Sequence, residues 1–196
     1  MMDHLEKTLK IITDAARSIR EDEFSALKQD CLDTLSAGGK IVASGLGKNV
    51  PICEKFVGTL NSIGLPAAFM HTNSAVHGDL GIVRSGDLVI ILSKSGETAE
   101  SVHLARLLRE RGCLLWLLSF SRDSSLYREI PRRLIMELEH EGDPWDILPN
   151  NSTVLNLIAL QELAMQIALE QGVSIDALRR NHPGGAIGAR LGGHLS

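Results

Sequence analysis

Short apolar runs alternate with segments of helical spacing along most of this chain, and this alternation limits the fold more than any other feature. Apolar runs that predict β-strands occupy residues 40–44, 67–70, 87–92, 113–118 and 133–138. Apolar residues spaced by three and four predict helices over residues 51–63, 97–111, 151–170 and 174–180. Near-continuous apolar strands that alternate with helices are typical of a parallel sheet covered on both faces. The sequence therefore predicts an α/β fold, a three-layer α/β/α sandwich with a mainly parallel five-stranded sheet.

The segment before the first strand is also helical in pattern. Apolar side chains recur at mostly helical spacings over residues 3–36, and Gly38 and Gly39 follow as a stop signal, so we expect one or two amphipathic helices there. The 196 residues contain no internal repeat and no linker-like stretch rich in Pro, Ser or Gly. We therefore expect a single domain over residues 1–196.

Composition argues against several classes of function. The chain has 20 Lys and Arg against 24 Asp and Glu, and only 4% of its residues are aromatic, so no nucleic-acid partner is indicated. Cys31, Cys53 and Cys113 lack Cys-x-x-Cys spacing, which argues against a thiolate zinc site or a disulfide scaffold. The amino terminus is charged where a signal peptide would be apolar, and the uncharged stretch 147–161 contains several polar residues. We expect a cytoplasmic protein with no membrane partner.

A loop rich in hydroxyl groups follows the predicted strand at 87–92. It contains Ser93, Ser95, Gly96 and Thr98 at the start of a helix. Ligands of open parallel sheets bind outside the carboxyl ends of the strands, and hydroxyls beside a helix N-terminus can hold a phosphate. The alternative for this segment alone is that Ser95 only caps the helix. A second glycine loop at a neighbouring strand end favours the phosphate site.

That second loop runs from Ser44 to Lys48 and contains Gly45 and Gly47. It lacks the spacing of a Walker motif, and Val50 stands where a Gly-x-Gly-x-x-Gly motif would have its last glycine. Nucleotide binding is therefore weakly supported. An isolated lysine is more often solvated, but Lys48 at a glycine turn can also reach an anionic group or a developing oxyanion.

Three further features join a polar side chain to a glycine turn or a helix start. They are His77 in His-Gly-Asp-Leu-Gly, Glu100 one turn into the predicted helix, and His182 in His-Pro-Gly-Gly. Each has a structural explanation when taken alone: a polar turn, a charge that complements the helix dipole, and a helix stop.

Together these segments resemble the sugar isomerase (SIS) domain family, and within it the arabinose-5-phosphate isomerases. The resemblance covers about residues 5–193 and rests on residues 44–48, 77–81, 93–100, Glu141 with Pro144, and 182–188. The serine loop is shared by the whole superfamily. The His-Gly segment followed by the terminal His-Pro-Gly-Gly segment is similar to the pentose-phosphate isomerases.

The resemblance implies the reversible isomerisation of D-ribulose 5-phosphate and D-arabinose 5-phosphate through an enediol, with no organic cofactor and no metal. It implies phosphate binding by Ser93, Ser95 and Thr98, supported by Ser44, Gly45 and Gly47, and a catalytic set of Lys48, His77, Glu100, Glu141 and His182. Within that set, His182 or Glu100 is the base, with His182 favoured, and Lys48 stabilises the oxyanion. His77 shuttles protons or opens the sugar ring. The resemblance also implies a homotetramer in which the terminal histidine reaches a neighbouring subunit's site.

The sequence departs from the family pattern at several places. Lys94 replaces a small or amide residue, Asn-Val-Pro at 49–51 replaces Ser-Gly-His, and Asn-Asn-Ser-Thr at 150–153 replaces a Thr/Ser-rich stretch. The regulatory cystathionine-synthase-type modules of longer members do not follow, so we expect a catalytic domain alone.

Two other functions stay open. One is isomerisation of another sugar phosphate, such as a hexulose or heptose phosphate, with a metal ligand set drawn from His77, Asp79 and Glu100. The other is a sugar-phosphate sensor. Such regulators usually carry a helix-turn-helix segment ahead of the domain, and the 39 residues before the first strand leave little room for one.

Overall fold

The computed structural model describes residues 2–192, so Met1 and residues 193–196 lie outside the description. In chain order the elements are α1 (Met2–Arg17), α2 (Glu21–Ser36), β1 (Ile41–Gly45), α3 (Asn49–Ser62), β2 (Ala67–His71), α4 (Thr72–Ala75), β3 (Leu88–Leu92), α5 (Ala99–Glu110), β4 (Leu114–Ser119), α6 (Ser125–Glu129), β5 (Arg133–Ile135), α7 (Asn151–Glu170), α8 (Ile175–Asn181) and α9 (Gly185–Arg190). A short 3-10 helix, Asp79–Ile82, lies between α4 and β3.

All five strands pair in parallel, in the order β2-β1-β3-β4-β5. The chain leaves β1 for β2 on one side and then returns to β3 on the other side of β1, so the direction of winding reverses between β1 and β3. Gly45 at the end of β1 is level with Leu92 at the end of β3. The loops after these two strands therefore leave the sheet side by side at a topological switch point, where open α/β sheets bind ligands.

Alternate residues along the strands pack against opposite layers of helices. Ile41 and Ile90 pack in one cluster with residues of α2, α3 and α7. Val42 and Ile91 pack in the other with residues of α5 and α6. All residues of β1 and β3 are buried, because helices cover both faces of the sheet. The predicted three-layer α/β/α sandwich is confirmed.

The last strand is shorter than the sequence predicts. Apolar residues predict a strand over 133–138, but β5 ends at Ile135. Met136 still donates its N–H to Ser119 O at 3.0 Å, whereas Glu137 donates its N–H to the Ser18 hydroxyl at 2.9 Å. The backbone therefore leaves the sheet at residue 137 to bond the end of α1.

By length and composition alone, α7 is long and apolar enough to cross a membrane, with a mean hydropathy of 1.3. In the structure it contacts α1, α2 and α3, and its buried side chains include Leu160, Leu163 and Ile167. These contacts are those of a core helix.

Candidate functional site

A cavity of about 350 Å³ lies at the carboxyl ends of β1 and β3. It is lined by Leu46, Gly47, Lys48, Asn49, Leu92, Ser93, Lys94, Ser95, Thr98, Ser101, Ile147, Pro149 and Ser152. The two loops singled out from the sequence form two of its walls. The segment that leads into α7 forms the third.

Three helices begin at this cavity: α3 at Asn49, α5 at Ala99 and α7 at Asn151. A helix N-terminus carries unpaired N–H groups and a partial positive charge. Lys48 and Lys94 add two cations to the lining. The cavity is therefore electrostatically suited to an anion.

The loop after β1 brings α3 close to the sheet. A Cβ on Gly45 would lie 2.9 Å from the Cβ of Asn49 and 3.2 Å from the Sγ of Cys53, so a larger residue would push α3 away. Gly47 has a φ of +56°, in the left-handed region that favours glycine. The next residue, Lys48, is exposed at the cavity immediately before α3.

Ser44 does not line the cavity. Its side chain is fully buried, and its hydroxyl lies 3.0 Å from that of Thr72. Gly45 is also buried beneath the loop. Both residues hold the loop from below, and of the three expected to support a phosphate only Gly47 lines the cavity. The support expected from Ser44 and from the amides around Gly45 stays a prediction.

The loop after β3 is held in shape by its own hydroxyl groups. The Ser93 hydroxyl accepts the N–H of Gly96 at 3.2 Å, and the Ser95 hydroxyl accepts the N–H of Glu97 at 3.2 Å. From β4, Ser119 donates its hydroxyl to Lys94 O at 3.1 Å. Thr98 precedes α5 but makes no capping hydrogen bond through its side chain. Fixed loop geometry beside a helix N-terminus without a side-chain cap is the arrangement that a phosphate cradle requires.

Glu141 is fully buried and lies outside the cavity lining. Its Oε2 accepts the N–H groups of Asn150 at 3.0 Å and of Ser152 at 2.9 Å, at the start of α7. Its Oε1 lies 2.6 Å from Nζ of Lys94 in a close ion pair that is not aligned as a hydrogen bond.

These contacts decide the protonation state of Glu141. Burial by itself raises the pKa of the carboxyl, but the contacts with Lys94 and Ser152 and the positive charge of Lys94 outweigh burial and hold the pKa below its usual range. Both oxygens of this buried, ionised carboxylate are engaged within the chain: it caps α7 and holds Lys94. The catalytic role that the resemblance implies for Glu141 stays a prediction.

His77 and Glu100 are exposed and do not line the cavity. His77 follows α4 in a turn, where its N–H donates to Ser74 O at 2.9 Å. Glu100 lies in the first turn of α5. Within residues 2–192, no three His, Cys, Asp or Glu side chains form a group able to hold a metal ion, so His77, Asp79 and Glu100 are not brought together as ligands.

His182 lies at the far end of α3 from the cavity. Its neighbour Asn181 donates its side-chain amide to Asn61 O at 3.4 Å and Ser62 O at 3.2 Å, at the carboxyl end of α3. The 14 residues of α3 span about 20 Å, and the cavity lies at the other end. Within one chain, the structure therefore does not bring His182 to Lys48.

The ring of His182 is nevertheless held in a defined way. Its Nδ1 lies 2.8 Å from Leu178 O. Because a carbonyl oxygen only accepts, we assign the proton of the neutral ring to Nδ1, which leaves Nε2 as a free proton acceptor.

Sequence reasoning missed several polar residues that the structure brings to the site or beneath it. Ser101 and Ser152 line the cavity from the first turns of α5 and α7. Asn156, one turn further along α7, is buried and donates its side-chain amide to Oδ1 of Asn49 at 3.1 Å. The signal that would have found them is a polar residue on the apolar face of a predicted helix.

With this geometry in place, the chain can be compared with known proteins. The SIS domain family matches residues 34–161. The chain belongs to the SIS-domain family. Among solved structures, this SIS domain is similar to an E. coli CFT073 protein in complex with arabinose 5-phosphate, with a TM-score of 0.86 and 30% identity over 93% of this chain and 95% of that chain.

Two curated relatives of the SIS domain are described as arabinose 5-phosphate isomerases. KdsD of Pseudomonas aeruginosa is 31% identical over 186 residues, which cover 95% of this chain and 57% of the relative. GutQ of Escherichia coli K12 is 36% identical over 157 residues, which cover 80% of this chain and 49% of the relative. The chain thus spans about half the length of the curated relatives it matches.

Proposed function

We propose that this SIS domain interconverts D-arabinose 5-phosphate and D-ribulose 5-phosphate. The observation that carries the proposal is the cavity at the switch point, which Ser95 and Thr98 line from the loop before α5 and Lys48 lines from the loop before α3. The similarity of the chain to KdsD, to GutQ and to the protein in the arabinose 5-phosphate complex supports the choice of sugar phosphate. In this proposal residues 1–196 act as one domain, with a small sugar phosphate as the ligand and without a metal or an organic cofactor.

The chemistry assigns a task to each side of the cavity. Isomerisation moves one proton between C1 and C2 and a second between the two oxygens, through an enediol, so no atom is gained or lost overall. The phosphate binds at the start of α5, which orients the sugar. Lys48 stabilises the negative charge that develops on oxygen when the base removes the carbon-bound proton.

The base of this reaction comes from a neighbouring chain in our proposal. His182 has a free Nε2 but is separated from its own cavity by α3, a helix about 20 Å long, whereas a second copy can present it to the sugar. Exposed apolar side chains on α1 and α7 support association: Leu5, Leu9, Ile158 and Met165. We propose a cytoplasmic homotetramer with shared sites. Glu100, exposed in the first turn of α5, stays the alternative base, and His77 stays a candidate for proton shuttling.

Proton exchange in heavy water tests the reaction and the substrate together. The protein is incubated with arabinose 5-phosphate, a hexulose phosphate, a heptose phosphate and unphosphorylated arabinose, and deuterium at C1 or C2 is followed by NMR. We expect exchange with arabinose 5-phosphate and little with free arabinose, because the phosphate supplies the binding energy. Faster exchange with another sugar phosphate would identify that compound as the better substrate. No exchange with any of them would refute isomerisation.

Mixing inactive variants tests the shared site. Lys48→Ala and His182→Ala chains are each expected to be inactive, and mixing them is expected to restore part of the activity because some sites then contain both residues. The matched control mixes Lys48→Ala with the double variant, in which no site is complete. Activity of the wild-type protein as a monomer, or no recovery in the mixed sample, would contradict a neighbour's contribution.

A further inference from the structure

Lys94 has an unusual position for a lysine of the cradle loop. It lies between Ser93 and Ser95 and lines the cavity. Its Nζ forms the ion pair with Oε1 of Glu141 at 2.6 Å, yet 44% of the side chain is exposed while that of Glu141 is fully buried. One end of the pair is therefore buried, and the other belongs to a side chain that lines both this cavity and a neighbouring cavity of about 380 Å³, which Glu141 also lines.

We propose that Lys94 binds the phosphate of the substrate directly and that Glu141 positions its ammonium group for this contact. The ligand chemistry rests on the proposed function, but the contact itself is a separate claim about one side chain. It makes Lys94 a binding residue and Glu141 a positioning residue that touches no substrate.

Glu141 is a rigid anchor for this purpose. Its Oε2 is held by the N–H groups of Asn150 and Ser152, and the carboxylate is buried. Because the carboxylate cannot turn without breaking both hydrogen bonds, Oε1 has a fixed position, and the ammonium of Lys94 is fixed with it. The entropy that a free lysine loses on binding a ligand is therefore largely lost before the ligand arrives.

An ammonium group carries three N–H donors. The pair with Oε1 of Glu141 is not aligned as a hydrogen bond, so at most one donor is turned toward the carboxylate. At least two remain for a phosphate without any need to break the ion pair. Binding then forms a chain of alternating charges: carboxylate, ammonium and phosphate. Charge-assisted hydrogen bonds of this kind are about twice as strong as those between neutral groups.

A purely structural role explains these contacts less well. The two N–H groups at the start of α7 already stabilise the carboxylate of Glu141 through Oε2. A lysine needed only to balance that charge could be as buried as Glu141, yet 44% of the Lys94 side chain is exposed and Lys94 lines both cavities. A direct contact with phosphate explains why nearly half of the Lys94 side chain is exposed.

Calorimetric titration with inorganic phosphate and with arabinose 5-phosphate tests the contact. We expect Lys94→Gln to raise both dissociation constants by about tenfold to a hundredfold, because a charge-assisted donor is lost. Lys94→Arg keeps the charge and is expected to stay within a few-fold of wild type. The matched control is Lys28→Gln, which breaks a Lys–Glu pair of 3.0 Å with Glu170 at the other end of α7, about 30 Å from the cavity.

The double variant Lys94→Gln/Glu141→Gln separates contact from charge balance. The charges of the pair cancel, so replacing both residues changes no net charge and leaves no buried ion unpaired. A direct contact predicts phosphate binding as weak as in Lys94→Gln, whereas a structural role predicts binding as tight as in wild type. This variant also decides the question if Lys94→Gln alone fails to fold.

The outcomes for this proposal and for the isomerase proposal are distinct. Tight phosphate binding that depends on Lys94, without deuterium exchange on any sugar phosphate, would support the contact and refute the isomerase. Exchange with wild-type phosphate affinity in both the single and the double variant would refute the contact and leave the isomerase standing. A wild-type protein that binds no phosphate would refute the contact.

Discussion

The N-termini of α5 and α7 meet at the same cavity but are completed differently. At α7, the carboxylate of Glu141 accepts two N–H groups of the first turn. At α5, Thr98 makes no capping bond through its side chain. Of these two helix ends, the α7 end therefore holds a buried anion of the protein itself, whereas the acidic side chain in the first turn of α5, Glu100, is exposed. Our proposal that a phosphate binds at α5 rather than at α7 rests on this difference.

The segments that precede the two helices show the same difference. The segment before α7 is stabilised by carboxylates: Asp143 accepts the N–H groups of Trp145, Ile147 and Leu148 at 2.9 to 3.0 Å. The segment before α5 is stabilised by the neutral hydroxyls of Ser93 and Ser95. The carboxylates near the α5 end, Glu97 and Glu100, are exposed, whereas Glu141 and Asp143 before α7 are buried. Water screens exposed carboxylates, so they reduce the positive potential of a helix end less than buried ones do.

The largest loss of stability is expected when a glycine in one of these two loops is replaced by alanine. Gly96 before α5 has a φ of +67°, and a Cβ there would lie 2.8 Å from the Cβ of Ser124, a buried residue that caps α6. Gly142 before α7 has a φ of +86°, and its Cβ would lie 2.9 Å from the side-chain amide of Asn151. We expect Gly96→Ala to lower the free energy of unfolding by about 3–5 kcal/mol, from backbone strain plus overpacking.

Gly142→Ala is the matched comparison. Its Cβ meets the terminal amide of Asn151, which can move only by giving up its hydrogen bond to His140 O. We expect a loss of about 2–3 kcal/mol, from the positive φ and that hydrogen bond. Urea unfolding measures both variants. Equal losses would mean that the two loops are equally adaptable and that the cradle before α5 is not held more tightly.

The next largest loss of stability is expected when the carboxylate of Glu141 is removed. Glu141→Ala leaves the N–H groups at the start of α7 without their acceptor and Lys94 without its partner. Because Lys94 is partly exposed and can turn toward water, we expect a loss of about 2–4 kcal/mol in the free energy of unfolding, below that for a fully buried pair. The control is Glu139→Ala, an exposed carboxylate two residues away. A loss no larger than that of the control would show that α7 does not need the cap.

Acid protonates the carboxylate of Glu141. We expect a smaller loss of stability than in Glu141→Ala, because the side chain stays in place. The folded state holds the pKa of Glu141 below its usual range, so this group stabilises the fold fully above its unfolded pKa of about 4.3. The contribution is lost as the pH falls through the folded pKa. We expect the stability of wild type to drop over that range more than that of Glu141→Gln. Parallel pH profiles for the two proteins would contradict an ionised Glu141.

Sequence alone predicts what depends on periodicity. The five strands and the two loops at their ends follow from apolar runs and glycine positions, and the long final helix that the spacing predicts is found at Asn151–Glu170. The short helices α4, α6 and α9 do not follow from the sequence, because four to six residues are too few to show a helical period.

The candidate site is predictable in its loops and not in its contacts. Ser93, Ser95, Thr98 and Lys48 follow directly from their positions at strand ends. The pair between Lys94 and Glu141 joins two loops that are distant in the sequence, and nothing in the pattern of either loop indicates the other. The resemblance implies a site role for His182, and only the packing of Asn181 against α3 reveals the separation of His182 from its own cavity.

The smallest effect, on phosphate binding, is expected when one threonine hydroxyl at the start of each helix is removed. Thr98 precedes α5 at the cavity, whereas the hydroxyl of Thr153 in α7 donates to Asn150 O at 2.7 Å. We expect Thr98→Ala to raise the dissociation constant for inorganic phosphate by about tenfold, because it removes one donor to a charged ligand. We expect Thr153→Ala to leave that constant within about twofold of wild type, because the α7 end already holds the carboxylate of Glu141. Calorimetric titration of both variants measures the difference. If Thr153→Ala weakened phosphate binding and Thr98→Ala did not, the phosphate would bind at α7, and the comparison between the two helix ends would be reversed.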